Sequence, residues 1–95
     1  MQFSGAAAAL AAASRREREE LADLRARAER LSAREREVWL RVVRGQLNKQ
    51  IAYDLGIVER TVKLHRAAAM QKLRAASTAD LVRLAHRLGL PGGSD

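Results

Sequence analysis

The stretch from Asn48 to Arg74, NKQIAYDLGIVERTVKLHRAAAMQKLR, constrains the fold more than any other part of this 95-residue chain. Apolar residues recur at helical spacing on both sides of one glycine. The first segment predicts a helix over about Lys49 to Leu55, with Asn48 available as its N-cap. Gly56 follows the last apolar residue, where a left-handed C′ position favours a residue without a Cβ. The second segment predicts a helix from about Glu59 to Arg74. Ala52 is small where a second helix must come close, and Gly56 permits the turn. Val62 is β-branched and faces back onto the first helix, and Ile51, Leu55 and Ile57 complete an apolar seam. A small residue, a glycine and a branched apolar residue at this spacing are the pattern of a helix-turn-helix.

The outer face of the second helix indicates what such a unit would touch. With Val62, Ala69, Met70 and Leu73 turned inward, the opposite stripe carries Arg60, Lys63, Leu64, Ala67, Gln71 and Arg74. Residues 59–74 hold five Lys/Arg against one Glu, a net of +4. Cations suit phosphate, and short side chains let a helix press into a major groove. A basic face on its own also describes an ordinary solvated surface in an Arg-rich chain; together with the turn spacing it points to DNA. Arg60, at the helix start, falls where the chain should cross the sugar–phosphate backbone. Lys63 lies one turn inside, beside Leu64 and Ala67, within reach of base edges. Arg66 and Lys72, the other cations of this helix, complete the candidate DNA-binding set with Gln71.

The composition supports this direction and closes others. The net charge of +7 and a pI near 11.2 favour a polyanionic partner. With one Trp, one Tyr and one Phe, the core must come from Leu, Val, Ile and Ala. The chain has no Cys, which excludes disulfides and thiolate metal sites. Two His and no clustered carboxylates argue against a metal or acid–base centre. No nucleophile–base pair or phosphate loop appears either, so neither a cofactor nor catalysis is expected. No apolar run approaches the roughly 20 residues needed to span a bilayer. The Ala-rich start at residues 6–13 lacks the basic lead of a signal peptide, so the expected compartment is the cytoplasm.

The remainder of the chain reads as helices around this unit. Residues 1–5 show no periodicity. From Ala6 to about Arg30 one long helix is expected, since Ala, Leu, Arg and Glu dominate without Gly or Pro. Leu21, Leu24, Ala28 and Leu31 form a seam of about two heptads, with Glu20 and Arg25 where an interchain pair would help a parallel dimer. Two readings follow: a solvated linker helix held by local Glu–Arg pairs, or a short dimerising coiled coil. Residues 1–31 carry six Arg against five acids and residues 32–95 twelve Lys/Arg against six, so the basic character belongs to the second part. Ser32-Ala33-Arg34-Glu35 is a capping box that starts a helix ending at Gly45. Val38, Trp39, Val42 and Val43 are its buried stripe; a lone aromatic on such a stripe packs rather than stacks on bases. Ser77 or Thr78 caps a last helix with Asp80 in its first turn, stopped by Gly89, and residues 91–95 read as a flexible tail. That helix has apolar residues on more than one side, and Leu81, Val82, Ala85 and Leu88 are its candidate dimer face.

Taken together, LSAREREVWLRVVRG, NKQIAYDLGI, ERTVKLHRAAAMQKL and STADLVRLA resemble the LuxR/GerE-type DNA-binding domain, most of all the output domain of FixJ/NarL-type two-component response regulators. The likeness covers about residues 31–88. It rests on Leu31, Arg34-Glu35, Val38, Gly45, Asn48-Lys49, Ile51-Ala52, Leu55-Gly56-Ile57, Thr61-Val62-Lys63, His65, Lys72 and Leu73. It implies an all-α fold in which a four-helix domain over residues 31–90, its helix-turn-helix at about 48–67, follows the linker helix of residues 1–30. The third helix of that domain would enter the major groove and the fourth would serve a homodimer on DNA. Positions matching Lys63, Leu64 and Ala67 would reach base edges; those matching Asn48, Lys49 and Thr61 would lie near phosphates. His65, at the edge of the inner stripe, is read as a half-buried packing residue or as a phosphate contact.

Two departures stand out. Val58 replaces the Ser that usually caps the recognition helix, and valine cannot cap. Ala67 offers only a methyl group, which suits apolar readout such as a thymine methyl. RNA polymerase and, in a full-length protein, a receiver domain are further candidate partners. No receiver is present here, because no segment provides the needed length or acidic cluster. Two other readings compete with a transcription regulator: a sigma-factor region-4-like promoter-binding domain, and a helical protein–protein interaction module whose basic face is incidental.

Overall fold

A computed structural model describes residues 2–91, with side chains from residue 5 onward. Its elements are α1 (Gln2–Glu29), α2 (Ala33–Val43), α3 (Asn48–Leu55), α4 (Glu59–Leu73) and α5 (Thr78–Arg87). Among the described residues there is no strand, so the fold is all-α. The expected tail at residues 92–95 lies outside the described residues.

Several helix boundaries follow from local chemistry. Ser32 Oγ accepts the Glu35 N–H at 3.1 Å and Glu35 Oε1 accepts the Ser32 N–H at 2.9 Å, so the capping box starts α2. Ser77, rather than Thr78, caps α5 by accepting the Asp80 N–H at 3.1 Å. Gly45, Gly56 and Gly89 all have positive φ, and each follows a helix. α1 begins at Gln2, ahead of the expected Ala6: one glycine at position 5 is a cost of only about 1 kcal/mol against the alanine run behind it.

One boundary corrects the sequence reading. The N-cap of α3 is Leu47, in extended conformation with no side-chain cap, and Asn48 is the first helical residue. The Asn48 side-chain oxygen accepts from Arg66 Nη1 at 3.1 Å and is therefore turned away from its own helix start. Gln50 Oε1 covers the Leu47 N–H at 2.8 Å instead.

α2 and α4 lie at the centre. α2 packs on α4, α5 and α3, and α4 also receives α3 and the end of α1. Trp39 is fully buried, and its indole N–H donates to the Leu81 carbonyl at 2.9 Å, so α2 and α5 are joined by packing and by a satisfied polar contact. Val38, Ile51, Val62 and Leu73 are likewise closed off from solvent, and Ala52 admits α4 close to α3.

The seam of α1 is used within the chain. Leu24 and Ala28 are 0 % and 5 % exposed, and Leu31 packs on the same core. Burying a leucine contributes about 1.5–3 kcal/mol, enough to hold two helical turns against α4. The C-terminal end of α1 is thus neither a solvated linker nor a free dimerisation seam. Glu20, expected to pair across a dimer, faces Arg87 of α5 at 3.6 Å. The earlier part of α1 stands clear of the body, with Leu10 exposed. This projection makes the molecule 63 Å long but only 27 by 19 Å across.

The candidate dimer face on α5 also needs correction. Leu81 and Ala85 are 0 % exposed because they fill the space under Trp39 and α2, and cannot be offered to a second copy. Val82 and Leu88 are half-buried.

Candidate nucleic-acid interface

α4 presents its outer stripe as the spacing requires. Arg60, Lys63, Leu64, Ala67, Gln71 and Arg74 are exposed, while Val62, Ala69 and Leu73 are buried and Met70 packs on the core. Leu64 is 65 % exposed, a large apolar side chain held in water beside Lys63. Among the described residues, Lys49, Arg60, Lys63 and Arg74 form no ion pair. Arg60, Lys63 and Arg74, without acidic partners, make the outer stripe of α4 positive, and Lys49 adds an exposed cation on α3.

The remaining two cations of α4 hold the fold together. Arg66 donates to Asn48 of α3 at 3.1 Å and to the Thr78 hydroxyl at the start of α5. Neither partner is an acid, and the direction of Arg66 is set by the scaffold. Lys72 is turned toward α2. Its ammonium lies 2.7 Å from Glu35 Oε1 and also donates to the Arg30 carbonyl at 3.4 Å. In this structure Lys72, one of the expected DNA contacts, ties α4 to α2 through Glu35. The Lys72 ammonium and then the Ser32 N–H hold the Glu35 carboxyl below its usual value.

The other sequence candidates are distributed over this surface. Lys49 is exposed on α3, and Asn48, Thr61 and His65 are half-buried. The expected absence of a cap at Val58 is seen directly: the residue is extended, makes no side-chain cap and is 67 % exposed. Arg41 of α2 pairs with Asp54 of α3 at 3.1 Å, which fixes the first helix of the unit against the body.

Three residues at this surface escaped the sequence reading. Tyr53 is 87 % exposed and shares a shallow groove with Lys49 and Gln50 on the outer side of α3. Its position could have been read from the helical wheel, since Ile51, Ala52 and Leu55 already define the inner face. Arg27 donates to the Leu73 carbonyl at 2.8 Å, across 46 positions, and pairs with Asp23 at 3.1 Å. Arg30 lies next to Gln71 and Arg74. Neither arginine carries a local signal of this, because the partner is brought by tertiary packing.

Among the described residues no His, Cys, Asp or Glu group could hold a metal ion, and no helix is long and apolar enough to cross a membrane.

Comparison with known proteins places this surface in a family context. Residues 29–85 match the model of the family described as bacterial regulatory proteins, luxR family. The transcriptional regulatory protein FixJ of Rhizobium meliloti (strain 1021) is 56 % identical over 63 residues, covering 66 % of this chain and 31 % of the relative. The response regulator protein TodT of Pseudomonas putida is 45 % identical over 83 residues, covering 87 % of this chain and 37 % of the relative. A crystal structure of full-length FixJ from B. japonicum superposes with a TM-score of 0.71 at 39 % identity, over 80 % of this chain and 37 % of that one. The chain thus spans about a third of the length of these relatives.

Proposed function

The chain belongs to the luxR family of bacterial regulatory proteins, and from that premise we propose that it is the sequence-specific, double-stranded-DNA-binding output domain of a two-component response regulator. The observation that carries this reading is the outer stripe of α4. Lys63 and Leu64 are exposed and not neutralised, Ala67 keeps the centre of the stripe low, and the scaffold holds α4 through Arg66 and Lys72 from the other sides. In this reading α4 lies in the major groove, with Lys63, Leu64, Ala67 and Gln71 toward base edges. Arg60, Lys49 and Thr61 face phosphates.

A receiver domain in the full-length protein, RNA polymerase and a second copy of the chain on DNA are the further partners, and the site of action is the cytoplasm. Pairing of two copies is supported on α5 only by Val82 and Leu88, the members of the candidate face that are not fully buried.

The test is a matched pair of titrations, on a site selected from a random duplex pool and on random duplex. Lys63→Ala is expected to weaken the selected site by about 1–3 kcal/mol and random DNA little. Arg60→Ala should weaken both alike and make the log K against log[salt] slope shallower by about one. Equal losses on both duplexes for Lys63→Ala would pass base reading to Leu64, Ala67 or Gln71. A wild-type slope near zero would defeat DNA binding and leave the interaction-module reading.

A further inference from the structure

The outer stripe of α4 continues past the end of the helix. Arg74, the residue that closes it, has φ 57° and ψ 40°, the left-handed conformation that favours glycine. At the equivalent turns after α2, α3 and α5 the left-handed residue is Gly45, Gly56 or Gly89. Among the described residues Arg74 alone puts a side chain there. A strained arginine at an exposed position needs an explanation beyond folding.

Its surroundings supply one. Arg74 lines a surface groove of about 440 Å³ with Arg30, Gln71 and Lys72. Gln71 belongs to the outer stripe, so the groove is continuous with the face assigned to DNA. The Lys72 charge is matched by Glu35 at 2.7 Å. Arg30 and Arg74 make no ion pair among the described residues, so the groove holds two guanidinium groups without an acid.

The backbone beneath them is fixed: Lys72 holds the Arg30 carbonyl, and Arg27 holds the Leu73 carbonyl at 2.8 Å. Two guanidinium groups on a fixed base present hydrogen-bond forks suited to phosphate oxygens.

The dimensions agree with a duplex. From Arg60 to Arg74 the helix rises about 21 Å at 1.5 Å per residue. The major groove is about 12 Å wide, so a helix of this length extends past both of its edges. A helix with Ala67 in the groove would bring Arg60 to one phosphate backbone and Arg74 with Arg30 to the other. We propose that Arg30 and Arg74 form a second phosphate clamp, at the far end of the recognition helix from Arg60. This rests on the DNA-binding reading above and extends it: the end of α1 becomes part of the DNA contact.

The experiment measures binding of the whole chain to random duplex DNA across a salt series, with thermal melting of each variant. Arg74→Gly should melt no lower than wild type, since glycine relieves the left-handed strain, yet its log–log salt slope should be shallower by about one. Arg30→Ala should remove about one more, and the double variant about two. Arg25→Ala is the charge control, because it removes a cation on α1 that lines a separate groove with Arg36 and Leu90. Its slope should equal that of wild type.

Unchanged slopes for Arg74→Gly and Arg30→Ala on a steep wild-type background would overturn the clamp alone. A loss for Arg25→Ala as large as for Arg30→Ala would overturn it too, by showing only the effect of net charge. A flat wild-type slope would instead defeat the DNA-binding reading on which the clamp rests.

Discussion

α2 and α5 begin on serines whose hydroxyls accept a backbone N–H, whereas α3 and α4 begin on exposed, apolar Leu47 and Val58 that cap nothing. The first pair frames the domain and carries the Trp39–Leu81 contact. The second pair is the helix-turn-helix. Arg66 on Asn48 joins its two helices to each other, and Arg41 on Asp54 and Lys72 on Glu35 tie it to α2. Both pairs contribute to the one core, but only the first also has side-chain caps at its helix starts.

This contrast can be broken or sharpened by substitution. The largest effect is expected at Trp39→Ala, which empties the centre of the frame and leaves the Leu81 carbonyl without its donor; it should cost about 3–5 kcal/mol in denaturant unfolding. Leu64→Ala on the outer stripe should stay within about 0.5 kcal/mol of wild type by the same measurement. A large loss at Leu64 would mean that the recognition face contributes to the fold after all.

The caps should respond with opposite signs. Ser32→Ala removes the hydroxyl half of the capping box and should cost about 0.5–2 kcal/mol, while Val58→Ser supplies a missing cap and should gain a similar amount. Because Val58 is 67 % exposed, little packing is lost in the exchange. A lowered thermal midpoint for Val58→Ser would show that the start of α4 is stabilised by something other than a cap.

The smallest effect joins the two regions through Glu35, which both caps α2 and anchors Lys72 of α4. Its carboxyl is held below the usual value in the folded chain. The stabilisation it brings is therefore complete above the ordinary carboxylate value and is lost as pH falls through the lowered folded one. Melting of wild type and Glu35→Gln should differ by a constant amount at neutral pH, and the gap should close on acidification. A gap that does not change with pH would remove the Lys72 ion pair from the account.

Much of the fold was legible because its signals are local. The Ser32–Glu35 box, the left-handed Gly56 and the missing cap at Val58 depend on residues within about four positions of one another, and the inward stripe of α4 lies within that one helix. The luxR-type pattern across α2 to α5 was legible for the same reason, since it is written in those periodicities. Asn48 was misplaced by a single residue: its short polar side chain suits a cap, but Arg66, eighteen positions away, takes its oxygen.

The exposed half of the candidate site was legible from the helical wheel of α4, and the scaffold half was not. Lys63 and Lys72 are both lysines of one basic helix, and only the position of Glu35 in the folded chain turns one inward and leaves the other in water.

What the sequence determined by itself is the set of helices, most of their ends and the face that α4 turns outward, because helix formation and amphipathicity are decided over one or two turns. Tertiary structure alone decided where those faces go. It buried Leu24 and Ala28 against α4, although their heptad spacing suited a partner chain equally well. It closed Leu81 and Ala85 under Trp39 and brought Arg27 and Arg30 to the end of the recognition helix. An apolar stripe states that it must be covered without naming its cover, and a long cation states its charge without naming its partner. Both choices are made by packing between residues distant in sequence, 37 positions apart for Lys72 and Glu35 and 46 for Arg27 and Leu73.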